Sequence, residues 1–200
     1  MILSNEIGDI QKDIQDELDT LSKIMNDKSN NDILAKKQLL DKLSFLKWVN
    51  EYWKLRFKGM PKVVKQKEIF FCQLGTNIGS EQNGKRPVVI IQNNIGNSKG
   101  KTTLIVPITT YENSSFYIKD NVRYMSYNDS DGNIIERKLD FYEIEIQIEP
   151  SSNKKIHGIA NVVHIREVSK IRLSKVPVAK ITDKTYNEMV TALIKNISQI

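Results

Sequence analysis

The sequence contains few residues that could form covalent or metal cross-links. Its 200 residues include one cysteine, Cys72, and two histidines, His157 and His164. A single cysteine cannot form an intramolecular disulfide, and these three side chains are too few for a structural zinc site. We therefore expect a chain that folds in a reducing cytosol, without a disulfide, a tightly bound metal or a cofactor. Cys72 lies in a strand-like stretch with no histidine nearby, which favours a buried, inert thiol over a nucleophile.

Long apolar runs are also absent. No stretch of 18 apolar residues occurs, and the first residues show no charged leader followed by an apolar core. We therefore expect neither a membrane span nor an export signal. The 40% apolar content suffices for one or two packed domains.

Positive charge is in excess in one part of the chain only. Residues 1–60 contain ten basic and ten acidic side chains, so the formal net charge of +6 belongs to residues 61–200. A basic surplus within one module is weak evidence for a polyanionic partner such as nucleic acid.

Residues 1–60 show helical periodicity. Apolar residues recur at three- and four-residue spacing from Ile7 to Met25, and again from Ile33 to about Phe57. Asn30, Asn31 and Asp32 interrupt the pattern, with Asp32 as the predicted N-cap of the second helix, and Gly59 to Pro61 as its predicted end. The sequence predicts a helical hairpin with apolar stripes too narrow to be stable alone.

From residue 61 onward the pattern is mostly that of short strands. Seven strands are predicted, bounded by turn-rich segments, and strands at this spacing favour a small barrel or sandwich. Thr182 and Asp183 are predicted to cap a final amphipathic helix that would close one face of the sheet. The fold class is therefore α+β. The predicted strands are Ile69 to Leu74, Val88 to Gln92, Thr103 to Ile108, Phe116 to Tyr127, Ile134 to Leu139, Tyr142 to Ile148 and Gly158 to His164.

The loop from Gly79 to Arg86 has the glycine spacing of a nucleotide-binding loop but not its context. Arg86 stands where that motif has a Ser or Thr for magnesium, and Pro87 then opens a β-branched run instead of a helix. The sequence predicts a polar loop between two strands, which could bind phosphate through side chains such as Lys85 and Arg86. The alternative is conformational: Gly79 and Gly84 need unusual backbone angles and the polar residues are simply solvated.

The segment from Glu68 to Asn97, followed by Thr102 to Thr109, resembles the MazF/PemK family of toxin–antitoxin endoribonucleases. Four elements occur in that family's order and spacing: Gly-Ser-Glu-Gln, Arg-Pro, Ile-Gln-Asn and Pro-Ile-Thr. The resemblance covers most of residues 67–200 and none of the first sixty. It implies an SH3-like barrel with a C-terminal helix, a homodimer, metal-independent cleavage of single-stranded RNA, and inhibition by a protein antitoxin.

The resemblance also implies roles for individual residues. The family's catalytic arginine falls on Arg86 and its catalytic threonine on Thr109. A guanidinium suits stabilisation of charge on phosphate, and a hydroxyl can orient the ribose 2′-OH or hydrogen-bond the phosphate. The residues expected to contact RNA are Ser80, Glu81, Gln82, Lys85, Gln92 and Asn93.

Three features depart from the family pattern. His164 stands where a glutamine is usual, which makes it a candidate acid or base, although a structural histidine is the stronger expectation. The piece between Thr110 and Tyr142 is long, with an extra hairpin near Asp131-Gly132 that could widen an RNA groove or be an ordinary surface hairpin. The residues proposed for that groove are Lys119, Arg123, Tyr124, Tyr127, Arg137 and Lys138. The third departure is Lys67-Glu68, where the family commonly has Gly-Asp.

Other functions stay open at this point. A catalytically inactive binding module is the main alternative. A gyrase poison of the CcdB family, which shares the barrel fold, is a weaker one, because that family depends on a C-terminal Trp-Gly-Ile and this chain ends in Ser198-Gln199-Ile200. The domain prediction is a helical extension at residues 1–60 and a MazF/PemK-like barrel at 61–200. The extension either regulates the groove or serves as a dimerisation or docking element, and we favour the second.

Overall fold

The computed structural model describes the backbone of residues 2–26, 32–111, 113–129, 131–152 and 156–198; side chains are described from residue 11 in the first helix and residue 34 in the second. The chain divides into two compact units, Met1–Tyr52 and Trp53–Ile200. The division into functional domains at residue 60 stays a prediction. Within the described residues, no helix is long and apolar enough to cross a membrane.

The first unit is a helical hairpin. Helix α1 spans Ile2–Asn26 and helix α2 spans Asp32–Arg56, whose last residues belong to the second unit. Both predicted helices are therefore confirmed, although α2 ends three residues before the predicted stop at Gly59. The predicted break at Asn30 and Asn31, and the side chain of the predicted cap Asp32, lie outside the described residues.

The second unit consists of antiparallel strands with two further helices. These elements are β1 (Glu68–Gln73), β2 (Lys85–Ile90), α3 (Asn94–Lys99), β3 (Thr102–Thr110), β4 (Ser115–Lys119), β5 (Val122–Asn128), β6 (Ile134–Lys138), β7 (Glu143–Glu145), β8 (Gly158–Asn161), β9 (Arg166–Ser169), β10 (Ala179–Lys180) and α4 (Asp183–Ile197).

The larger sheet closes on itself. Its strand order is β10-β1-β2-β3-β8-β7, and β9 also pairs with the first half of β3. Just beyond the two end strands, an antiparallel bridge joins Ile148 to Ile181, with backbone hydrogen bonds of 2.9 Å from Glu149 N to Lys180 O and from Thr182 N to Gln147 O. The predicted α+β class and small antiparallel barrel are therefore confirmed.

Side chains of the barrel strands alternate between two apolar clusters. One cluster includes Ile69, Val89 and Ile108, and the apolar face of α4 joins it through Met189 and Ala192. The other cluster lies on the opposite side of β1, β2 and β3, and its members are Val64, Phe70, Cys72, Leu74, Val88, Ile90, Ile105, Val168 and Leu173. We call this second set the Cys72 cluster. The predicted cap of α4 is confirmed, because the Thr182 hydroxyl accepts a hydrogen bond of 3.2 Å from Thr185 N.

Three predicted strands differ from the structure, and one of them, Tyr142 to Ile148, is a strand only at Glu143–Glu145. The stretch from Phe116 to Tyr127 is not one strand but the hairpin β4-β5, which turns at Asp120 and Asn121 with φ angles of 51° and 60°. Asp and Asn tolerate this left-handed region better than other non-glycine residues, which allows a tight two-residue turn. The predicted strand from Gly158 to His164 ends at Asn161 and continues as a 3-10 turn.

The segment between β3 and β7 forms a separate three-stranded sheet, β4-β5-β6. The predicted extra hairpin near Asp131-Gly132 is therefore confirmed as the β5-β6 connection, where Gly132 has a φ of 83°. One face packs through Met125 on Leu139 and Ile159.

Candidate functional site

Arg86 and Thr109 lie on the same face of the barrel, beside the Cys72 cluster. Strands β2 and β3 pair Val88 with Pro107, and alternation along each strand puts Arg86 and Thr109 on the same face as these two residues. Arg86 also pairs with Cys72 across β1 and β2. Both side chains are half-buried. They lie at the end of the two strands that is next to the loop between β1 and β2. Strand alternation thus puts a guanidinium and a hydroxyl on the face of the sheet that carries the Cys72 cluster.

The loop between β1 and β2 is tied at its base and exposed at its tip. Backbone hydrogen bonds of 2.8 Å join Leu74 N to Gly84 O and Gly84 N to Gly75 O. Within the loop, Asn77 Nδ2 donates to Gln82 O at 2.8 Å, and Asn77 N donates to Asn83 Oδ1 at 2.7 Å. These bonds fix the sides of the loop, so its tip projects beyond them.

Arg86 helps to hold this loop, because its Nε donates a 2.8 Å hydrogen bond to Asn83 O. That bond occupies the Nε edge of the guanidinium. Gly79 and Gly84 have φ angles of 65° and 75°, so the conformational requirement predicted for both glycines is also met.

The three loop residues expected to contact RNA differ in exposure. Ser80 and Glu81 are exposed at the tip, whereas Gln82 is half-buried. The Oε1 atom of Gln82 is buried and has no hydrogen-bond partner among the described residues. An unpaired buried acceptor is uncommon in native structures and is a place where a ligand donor would be favoured.

Three cations near Cys72 were not among the predicted site residues. Burial raises the pKa of the Cys72 thiol from 9.0 to about 12, and the positive charges of Arg172, Arg166 and Lys58 partly offset this rise. Arg166 pairs with Ile105 of β3, and its alternation with Val168 sets it on the side of the Cys72 cluster. Together with Arg86, these residues make this side of the barrel strongly basic.

The backbone near the cluster holds two of these cations in place. Arg172 Nη1 donates to Gln73 O at 3.0 Å and to Leu74 O at 3.2 Å, at the root of the loop after β1. Lys58 Nζ donates to Leu173 O at 2.6 Å. These contacts join residues about 100 positions apart in sequence, so spacing along the chain gave no signal for them. The nearest signal was the resemblance of the segment from Ile165 to Leu173 to the family's C-terminal part.

Lys85 lies on the other face of β2 from Arg86. It pairs with Gln73 and shares a face with Phe71, whose ring centroid is 5.6 Å from Lys85 Nζ. Adjacent residues of a strand point to opposite sides, so the two cations of the Lys85-Arg86 pair do not form one phosphate site on the sheet. The structure therefore does not group Lys85 with Arg86 and Thr109.

Gln92 and Asn93 lie beyond the far end of β2. Six residues of extended chain separate Gln92 from Arg86, a span of roughly 20 Å. Asn93 caps α3, accepting a 2.8 Å hydrogen bond from Gly96 N, and Gln92 Oε1 accepts a 3.1 Å bond from Leu104 N. Both side chains thus stabilise the connection between β2 and β3.

His164 is half-buried in the 3-10 turn that follows β8, two residues before Arg166. It therefore lies on a turn leading to the basic side of the barrel, and not on a strand as predicted.

The residues proposed for a wider RNA groove lie on both faces of the small sheet. Arg137, Arg123 and Tyr127 lie on the face that carries Met125. Arg137 forms two 2.8 Å hydrogen bonds with Glu143, and Arg123 Nη2 donates to Asp140 O at 2.8 Å. These contacts make both arginines part of the connection to the barrel.

Lys119, Tyr124 and Lys138 lie on the opposite face of the small sheet. Tyr124 stacks on Tyr117 there, with ring centroids 5.7 Å apart. The phenol of Tyr117 interacts with Glu136, so a carboxylate accompanies the two lysines. This face is mixed in charge and consists of ordinary cross-strand pairs.

The described residues contain no group of three or more His, Cys, Asp or Glu side chains that could hold a metal ion.

Comparison with known proteins gives a family. The model of the family described as "PemK-like, MazF-like toxin of type II toxin-antitoxin system" matches residues 65–197. Endoribonuclease EndoA of Bacillus subtilis (strain 168) is 45% identical over 47 residues, which are 24% of this chain and 40% of that protein. The chain thus aligns with only 40% of that curated relative.

Solved structures show weaker likeness. A mycobacterial endoribonuclease in complex with its cognate antitoxin has a TM-score of 0.46 at 19% identity, covering 69% of this chain and 98% of that one. MazF from Deinococcus radiodurans has a TM-score of 0.47 at 13% identity, covering 68% and 96%. The assignment rests on the family model, which covers well over half of the sequence. The chain belongs to the PemK-like, MazF-like toxin family of type II toxin–antitoxin systems.

Proposed function

We propose that this protein is the toxin of a type II toxin–antitoxin system and acts as a metal-independent, sequence-specific endoribonuclease on single-stranded RNA. The observation that carries the proposal is the placement of Arg86 and Thr109 on one face, at the end of the β2-β3 pair and beside a loop with an exposed polar tip. Family membership and the 45% identity to EndoA over 47 residues support the reaction class.

The proposed reaction uses the substrate's own nucleophile. The ribose 2′ oxygen attacks the adjacent phosphorus while the bond from phosphorus to the 5′ oxygen breaks. The 2′-OH loses its proton and the leaving 5′ oxygen gains one, which gives a 2′,3′-cyclic phosphate and a 5′-OH end. Water can then open the cyclic phosphate to a 3′-phosphate. The protein must align the 2′ oxygen and stabilise the extra charge on phosphorus.

Arg86 is assigned to that charge. A guanidinium stays protonated and offers several N–H donors, so it can bind a phosphate oxygen while its Nε holds Asn83 O. A protonated guanidinium can also supply the proton for the 5′ oxygen. Thr109 is assigned to orienting the 2′-OH or binding a phosphate oxygen, because a hydroxyl is both a donor and an acceptor.

Arg166 and Arg172 are assigned to the flanking phosphates of the RNA. They lie on the side of the Cys72 cluster, where their positive charges act to lower the pKa of the Cys72 thiol. Phosphate contacts position a nucleic acid without reading its sequence, whereas exposed loop residues can contact base edges. Ser80, Glu81 and Gln82 are therefore the residues assigned to sequence preference.

A protein antitoxin is the proposed inhibitor, and a barrel homodimer is the proposed state of the toxin. The solved mycobacterial relative is an endoribonuclease bound to its cognate antitoxin, which motivates the first statement for this chain. The basic side of the barrel would attract an acidic antitoxin segment as well as RNA.

The experiment compares the full chain with two variants on a long unstructured RNA in EDTA, with the fragment ends mapped. Arg86→Ala removes the proposed charge, and Lys99→Ala removes an exposed cation at the end of α3, away from the site. We expect discrete cuts by the wild type and Lys99→Ala. Loss of one charge-stabilising group should slow Arg86→Ala by about 10²- to 10³-fold.

The ends of the fragments decide the chemistry. Cyclic or 3′-phosphate and 5′-OH ends would support attack by the 2′ oxygen. Equal cutting by the wild type and Arg86→Ala would refute the role of Arg86. No cutting of any tested RNA by the wild type, with RNA still bound, would favour a catalytically inactive binding module.

A further inference from the structure

The helical hairpin leaves its large apolar side chains uncovered. Among the described side chains of residues 11–26 and 34–52, none is buried. Besides Leu34 and Tyr52, eight large apolar side chains in this unit are 39–57% exposed. They are Ile14, Leu18, Ile24, Leu39, Leu40, Leu43, Phe45 and Leu46. Most of the stability of helices in proteins comes from packing of their apolar side chains, so these exposed side chains mark a surface that a partner would cover.

The contact between α1 and α2 includes a lysine of α2. Lys42 reaches across from α2 and donates to Ile24 O at 2.7 Å, near the end of α1. Leu39, Leu43 and Leu46 follow one another at four- and three-residue spacing, which makes a separate stripe along α2. A helix with apolar residues on more than one side is typical of one that packs on more than one neighbour.

The uncovered area is close to that of one side of a standard protein–protein interface. About half of each of the eight side chains is exposed, so covering them removes roughly 700 Å² of surface per copy, close to the 800 Å² that each partner gives to a standard interface. In a two-fold symmetric dimer, both chains contribute the same apolar side chains to the interface.

The charges of the two helices are opposite. Helix α1 contains six acidic and two basic residues, and α2 contains three acidic and six basic residues. If both helices carried the same net charge, a partner of the opposite charge would be favoured. Because α1 is acidic and α2 is basic, a second copy in the antiparallel orientation fits instead. Each α1 would then meet the α2 of the other chain.

We propose that the hairpin is a dimerisation element, in which α1 of one chain packs on α2 of a second copy and the two hairpins form a four-helix bundle. This contact is separate from the barrel homodimer proposed above and does not depend on RNA cleavage. It commits to a second copy of this chain as the partner, because the charges of α1 and α2 are complementary and the exposed area suffices for a standard interface.

The test reverses charge on each helix of the full chain. One variant carries Asp13→Lys and Glu17→Lys on α1; the other carries Lys36→Glu and Lys47→Glu on α2. All four side chains are exposed. Binding of a fluorescently labelled copy is measured for each variant with itself and for the two variants together. Any association through the barrel is equal in all three pairings, so it cancels from the comparison.

We expect each variant to bind itself weakly and the mixed pair to bind at least about tenfold more tightly, because four exposed charge pairs change from repulsive to attractive. Misfolding of either variant cannot produce such a rescue. Equal binding in all three pairings would overturn the proposal, and so would weak binding in all three, since the hairpin would then contact something other than its copy.

A second pair of variants tests the apolar stripe itself. Leu39→Gln, Leu43→Gln and Leu46→Gln together keep helix propensity and remove the apolar contact. The matched control places glutamine at two exposed, uncharged polar positions of the same helix, Ser44 and Asn50. Sedimentation of the full chain should show self-association weakened by about 100-fold or more for the first variant and unchanged for the control. The same dissociation constant for both would contradict the proposal.

Discussion

The ion pair between Arg137 and Glu143 should decide how firmly the small sheet is attached to the barrel. Arg137 lies on β6 and Glu143 on β7, and the two hydrogen bonds between them are both 2.8 Å. Their side chains are 31% and 12% exposed. Glu143 Oε2 also accepts a 3.0 Å hydrogen bond from Asp140 N. The carboxylate is therefore mostly buried and satisfied by three donors.

The expected loss of unfolding free energy follows from these hydrogen bonds and from the burial of the two side chains. Removing one member of a fully buried pair costs about 3–5 kcal/mol, and water reaching the partly exposed Arg137 side should reduce the cost of Arg137→Ala to about 2 kcal/mol. Glu143→Gln keeps the shape and loses the charge, at an expected cost of about 1 kcal/mol. The double variant should lose less than the sum of the single variants, because the two residues share one interaction.

The dependence on pH gives a second readout. Burial acts to raise the pKa of Glu143, but hydrogen bonds from Arg137 and Asp140 N outweigh it, so the pKa lies below the ordinary 4.5. A carboxyl with a lowered folded pKa stabilises the fold above its unfolded pKa, and this contribution disappears as pH falls through the folded value. The difference in unfolding free energy between wild type and Glu143→Gln should therefore narrow below pH 4.5.

The assay is urea unfolding of the full chain at pH 7 and pH 3, with Lys138→Ala as a control at the exposed neighbouring position. Lys138→Ala should unfold within about 0.5 kcal/mol of the wild type, as is usual for an exposed position. The reasoning would be refuted if Arg137→Ala matched Lys138→Ala at pH 7, or if the Glu143→Gln deficit persisted unchanged at pH 3.

Two further predictions concern the Cys72 cluster and the strand that carries Thr109. Because burial raises the pKa of Cys72 from 9.0 to about 12, iodoacetamide at pH 8 should label the native thiol at least about a thousandfold more slowly than the urea-unfolded thiol; labelling at comparable rates would show that the thiol is accessible. A Cβ on Gly158 would overlap the carbonyl oxygen of Thr109, so Gly158→Ala should lower the free energy of unfolding by about 3 kcal/mol. An unchanged urea midpoint for Gly158→Ala would disprove that close approach.

The elements with strong periodicity could be predicted from the sequence. The three- and four-residue spacing of apolar residues predicted α1, α2 and α4, and Thr182, one of the two residues predicted to cap α4, is its N-cap. Closure of the barrel could not be predicted from the spacing of apolar residues. It depends on Ile148 meeting Ile181, a contact between two segments that are each too short and irregular to signal their pairing.

The error at Phe116 to Tyr127 has a local cause. Its alternating apolar residues continue on both sides of Asp120-Asn121, so the period of two is unbroken by a glycine or proline. The turn depends on the ability of Asp and Asn to adopt positive φ, which is weaker in sequence than the glycine signals at Gly79 or Gly132.

Strand alternation explains why only part of the predicted site comes together. Lys85 and Arg86 are neighbours in sequence, and a period of two already places them on opposite faces once β2 is accepted as a strand. Arg166 reaches the side of Arg86 from β9, some 80 residues later, because β3 pairs with β2 on one side and β9 on the other. Sequence proximity therefore overstated the role of Lys85, while the basic surface around Cys72 arises from strand order, which only the folded chain reveals.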